Sequence, residues 1–164
     1  MQYWGQKDSQ YADCLPRALA NACRFYGLRC PEPGTETWEE VIDFSKCRHG
    51  SAITSCEEIA DFLGLRAVQI PVRQAVGQLP VVLTVWNPEV GTSLHSVLIV
   101  GWAGKVATAV NYRWRSGPVV ERLPVVFDKE PPKRTDGTDN LDIAWPAMYV
   151  PKPPNDNCYL LERA

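Results

Sequence analysis

The sequence predicts an α+β fold, with helices in the first part of the chain and a mostly antiparallel sheet after them. Two observations carry that expectation. Up to about residue 65 apolar residues recur at helical spacing behind recognisable caps; from about residue 66 they fall in β-branched runs with little polar alternation. A third sets the scale: 164 residues, 45 % of them apolar, suffice for one packed domain over 1–164, not for two. Runs with so little alternation belong in a sheet covered on both faces.

The clearest helix covers Asp13 to Tyr26. Leu15, Ala18, Leu19, Ala22, Cys23 and Tyr26 share most of its surface, and Arg17, Asn21 and Arg24 leave one narrow polar stripe. Asp13 is a suitable N-cap, Pro16 lies in the first turn, and Gly27 marks the end. Thr37-Trp-Glu-Glu40 and Ser55-Cys-Glu-Glu58 are capping-box patterns that open two further helices, the second ending at Gly64. Strands are expected over 66–70, 80–86, 95–102 and 105–113. A Pro-, Asp- and Lys-rich excursion follows Phe127, and short apolar pieces near Met148 and Tyr159 are expected to add edge strands.

Composition narrows the function. Seventeen basic against nineteen acidic residues, with no basic block, give no nucleic-acid footprint. No apolar run is long enough for a bilayer, and the N-terminal MQYWGQKDSQ has no charged-then-apolar pattern, so a cytoplasmic monomer without a membrane partner is expected. The six cysteines include no C-x-x-C pair, and a chain of this length folds without staples, so free thiols are expected. Cys47 and His49 are one tight pair where a structural zinc site has two, so neither a metal nor another cofactor is expected.

Cys14 falls in the first turn of the buried helix. Unpaired backbone N–H groups and the helix dipole favour an anion there, which is expected to lower the thiol pKa. A thiolate that transfers acyl groups needs a base that later protonates the leaving group, and imidazole suits that role near neutral pH. His95 opens the most apolar strand, after the GTSL segment, whereas His49 sits in the polar loop CRHGS. Asn111 ends the next strand and is the candidate to orient the imidazole. Side chains alternate across a sheet, so His95 and Asn111 share a face only with an odd-length hairpin loop or a compensating bulge. A three-residue loop at Trp102-Ala103-Gly104 would set the two residues opposite each other, with Gly104 at positive φ.

These residues resemble the papain-like cysteine peptidases: Cys at the start of a long helix, then HSVLIVGW, then AVNYRW with Trp114 beside the Asn. The ordered set SCEEIADFLGLRAV, LPVVLTV and LHSVLIVGW is similar to the bacterial branch that cleaves double-glycine leader peptides. The resemblance covers about residues 6 to 114. It implies a buried nucleophile helix packed on the sheet, a Cys14–His95–Asn111 triad, an acyl-enzyme and a peptide or protein substrate. The family places a glutamine ahead of the cysteine to help hold the oxyanion; Gln6 is the better candidate and Gln10 the other. The sequence departs from the family at Leu15, where glycine is usual. The same three groups also serve acyl transfer or deamidation, and DCLPRAL resembles the nucleophile segment of ovarian-tumour-type deubiquitinases, although Ser96 replaces that family's aromatic. A catalytically inactive binding module of the same fold remains open as well.

Overall fold

A computed structural model describes residues 3–5, 11–86, 94–111, 120–128, 148–152 and 158–164. Among them, three α-helices pack on one face of a six-stranded antiparallel sheet. Helix α1 spans Cys14–Phe25, α2 Glu36–Ser45 and α3 Cys56–Phe62. The strands are β1 (Leu65–Gln69), β2 (Val81–Trp86), β3 (Leu94–Ala103), β4 (Val106–Val110), β5 (Val120–Pro124) and β6 (Cys158–Arg163), and they lie in the order β1-β6-β2-β3-β4-β5. The α+β class follows from this arrangement.

Helix α1 is enclosed, as its apolar circumference requires. Ala18, Leu19, Ala20, Ala22 and Cys23 are fully buried. The polar stripe is covered too: buried Asn21 exchanges both amide hydrogen bonds with the Trp4 backbone, at 2.9 Å each. Asp13 holds the N-cap position, but its side chain does not cap. It turns instead to Arg17, 2.9 Å away, because a buried carboxylate gains more from a guanidinium one turn on than from a single N–H. In α2 the cap is Thr35, whose hydroxyl accepts from Trp38 N–H, so the helix starts two residues before the expected Thr37. The Ser55–Glu58 capping box of α3 is complete.

Both faces of the sheet are covered. Leu65, Val82, Leu98, Val110 and Leu161 pack against the helices. On the other face Val81, Leu83, Val85, Val97, Ile99, Ala107 and Ala109 gather with Val72, Val125 and the fully buried Tyr149. Residues 148–152 tie the two sides of the sheet together. The Tyr149 backbone pairs with Pro124 and Val126, and Pro151 bridges to Val85.

Two expectations about strands need correction. The piece around Tyr159 is not at an edge: β6 inserts between β1 and β2 and pairs with both. The edge strands are β1 and β5, and the alternating burial of β5 is that of a strand with one solvated face. The β3–β4 hairpin turns on two residues, Gly104 and Lys105, with Ala103 opposite Val106. Gly104 takes φ 59°, which such a tight turn requires. The expected three-residue loop is therefore absent, and a bulge between Ile99 and Gly101 adjusts the register instead.

Candidate functional site

The bulge decides which side chains meet. Trp102 pairs with Ala107, but beyond the bulge Ile99 pairs with Ala109 and Leu98 with Val110. The extra residue, Val100, moves the rest of β3 by one position, so odd-numbered residues there share a face with Ala107, Ala109 and Asn111. Were Val100 paired regularly with Ala109, Asn111 and His95 would lie on opposite faces. Gly101, beside the bulge, faces Thr108 so closely that an added Cβ would lie 3.3 Å from Thr108 Cβ.

At the far end of this hairpin His95 Nε2 and Asn111 Oδ1 are 2.9 Å apart. Both residues are buried, at 6 % and 1 % exposure, which shields the hydrogen bond from competing water. Asn111 Nδ2 donates to Glu121 Oε1 at 2.5 Å, and Tyr149 Oη donates to the same oxygen at 2.5 Å. A polar chain thus runs from β3 through β4 to β5 and on to the 148–152 segment.

Cys14 reaches the same end of β3 from the helical layer. It is the first residue of α1 and half-buried, and its sulfur lies near Ser96, the residue next to His95, whose backbone N–H and hydroxyl favour the thiolate. The pKa expected for this thiol was low, and the structure reverses the direction. Burial pushes the Cys14 thiol above its ordinary value; the polar groups of Ser96 and the Leu15 backbone pull the other way, and the neighbouring Asp13 carboxylate adds to the rise. Desolvation of the sulfur outweighs the helix N-terminus. Cys47, close enough to feel both Asp13 and Cys14, is pushed up to about 11 by burial first.

The other candidates separate cleanly. His49 is an exposed turn residue. Gln6, Gln10 and Trp114 lie outside the described residues. All six cysteines are free thiols, and no group of three or more His, Cys, Asp or Glu suited to a metal occurs among the described residues. Sequence reasoning missed Ser96, Glu121, Tyr149 and the Asp13–Arg17 pair. Only the last had a readable signal, the i, i+4 spacing of opposite charges.

No family model matches the sequence, and no curated protein matches it. Among solved structures, the chain is similar to a double-glycine motif protease from an AMS/PCAT transporter, crystallised in complex with the leader peptide. The TM-score is 0.50 at 18 % identity, over 75 % of this chain and 79 % of that one. The likeness is one of fold: helices on an antiparallel sheet, as in a papain-like peptidase. No helix among the described residues is long and apolar enough to cross a membrane.

Proposed function

We propose that the chain is a cysteine peptidase-like thiol hydrolase that cleaves peptide or isopeptide bonds through Cys14, His95 and Asn111. One observation carries the reading. A thiol at the first residue of a buried helix lies near Ser96, and the adjacent His95 has its Nε2 committed to Asn111. Commitment of Nε2 leaves Nδ1 as the nitrogen that can exchange a proton with the thiol at the end of the sheet. The double-glycine protease of like fold makes a leader peptide ending in two glycines the first substrate to try.

In this reading Cys14 Sγ attacks the scissile carbonyl carbon while His95 Nδ1 takes the thiol proton. The oxyanion is held by the backbone N–H of Cys14 and by Gln6. As the tetrahedral intermediate collapses, the C–N bond breaks, His95 returns its proton to the leaving amine, and the acyl group stays on sulfur as a thioester. Water, deprotonated by the same nitrogen, releases the acid and restores the thiol. Because burial holds the thiol in its protonated form, His95 acts as a base on a neutral thiol rather than as half of a preformed ion pair.

The raised thiol pKa also favours a second reading, a binding module of the same fold that has no turnover. Cleavage of double-glycine peptides by the purified protein separates the two. Turnover lost in both Cys14→Ala and His95→Ala, with both variants folded, supports the hydrolase. Peptide binding without cleavage in the unaltered protein supports the module.

A further inference from the structure

An amide has two ends of nearly the same shape, one accepting and one donating, and nothing within Asn111 decides which end meets the imidazole. We propose that Glu121, braced by Tyr149, is a positioning residue that fixes this choice and thereby fixes which nitrogen of His95 carries the proton. The catalytic meaning of the inference rests on the hydrolase reading; its structural content does not.

Glu121 stands opposite Ala109 in the β4–β5 pair, so it shares a face with Asn111. Its Oε1 accepts from Asn111 Nδ2 and from Tyr149 Oη, both at 2.5 Å. Tyr149 is fully buried and is anchored by backbone hydrogen bonds of 2.9 Å to Pro124 and Val126, so the oxygen is held from two sides. With the nitrogen end of the amide bound to Glu121, the oxygen end faces His95 at 2.9 Å. A carbonyl oxygen only accepts, so Nε2 must carry the hydrogen, and in the neutral ring Nδ1 is then the unprotonated base. A flipped amide would donate to Nε2, drive the proton to Nδ1 and remove the base that Cys14 needs.

The test is the tautomer of His95, read from imidazole nitrogen chemical shifts. His49 is the other histidine and is exposed, so the two signals are separable. Spectra are taken in a Cys14→Ala background over a rising pH series, and the tautomer is read on the plateau where the His95 shifts no longer change. The parent is expected to carry the proton on Nε2. Glu121→Gln keeps an accepting oxygen and should leave that tautomer in place. Glu121→Leu removes the acceptor and should mix the two tautomers. Glu121→Lys presents donors to Asn111, so the amide should flip and the proton move to Nδ1.

In the Cys14-containing protein, Glu121→Leu should lower kcat about tenfold with KM nearly unchanged, and Glu121→Gln should recover most of it. A parent proton on Nδ1 overturns the proposal even if no variant folds. So does a folded Leu or Lys variant that keeps its proton on Nε2. If the tautomer series behaves as expected but no peptide is ever cleaved, the positioning role stands and the hydrolase reading fails.

Discussion

Six thiols share the chain, and their surroundings sort them by reactivity. Cys56 and Cys158 are pushed up to about 12 by burial, and Cys23 is raised by its hydrogen bond to Cys30. Cys30 moves the other way, lowered first by the Cys23 thiol and then by the Arg24 charge against the opposing pull of burial and Glu32, and it lines an open cavity of about 330 Å³. A lowered pKa enlarges the thiolate fraction at neutral pH and a raised one shrinks it. Iodoacetamide at pH 7 should therefore label Cys30 first, and Cys14 more slowly than free cysteine; peptide mapping over time reads the order. Labelling of Cys14 ahead of Cys30 would show that its thiol is activated despite its burial. The histidines are expected to divide as sharply. His95→Ala should cut turnover at least a hundredfold, and His49→Ala should leave it within about twofold, in a steady-state assay. Cys14, His95 and Asn111 could be named from sequence because each occupies a distinctive place: a helix start, a strand start and a strand end. Ser96, Glu121 and Tyr149 could not, because what they touch depends on register across three strands. The direction of the Cys14 pKa was misread for a related reason. A helix N-terminus is visible in a sequence, and the desolvation of one sulfur is not.

The register of the site is set at the bulge in β3. Deleting the unpaired Val100 should remove the bulge while leaving Ile99 opposite Ala109, so that His95 and Asn111 still share a face. The expected outcome is a folded protein that keeps its turnover; turnover fallen to that of His95→Ala would show that the bulge does more than set the register. Gly104→Ala should cost only about 1 kcal/mol, through its positive φ, and leave activity intact in thermal unfolding and kinetic assays. Parity arithmetic on the sequence required an odd loop or a bulge, and the chain uses the bulge with a two-residue turn. Loop length alone did not reveal it, because Val100 reads as one more apolar residue in an apolar run. The α2 start differs from expectation for a similar reason: only Thr37 has a glutamate three residues on, but buried Trp38 sits at the third helical position and its N–H is capped by Thr35.

Across the whole molecule, the sheet is completed by the far end of the sequence. Strand β6 bonds to β1 on one side and β2 on the other, and Tyr26 of the helical layer donates to Leu161 O at 2.7 Å. Local pattern shows that 158–163 is a strand, but its partners lie about 75 to 98 residues earlier in the chain, which no window of sequence contains. Truncation before Cys158 should leave β1 and β2 unpaired along facing edges and remove more than the about 5–15 kcal/mol that holds a typical domain together. Loss of cooperative unfolding by circular dichroism is expected, and a truncated chain that still melts cooperatively would contradict this view of the sheet. The α+β class and the likeness to a papain-like fold were legible from the order of segments, since helix and strand periods are local. The central claim is that Cys14, served by His95, attacks a peptide carbonyl. Its most direct test is to incubate the protein with a short peptide ending in Gly-Gly-propargylamide and to locate the adduct by intact mass and peptide mapping. One adduct on Cys14 in the unaltered protein, and none in His95→Ala, is the predicted result. Labelling confined to Cys30, or a Cys14 adduct that forms equally fast in His95→Ala, would contradict it.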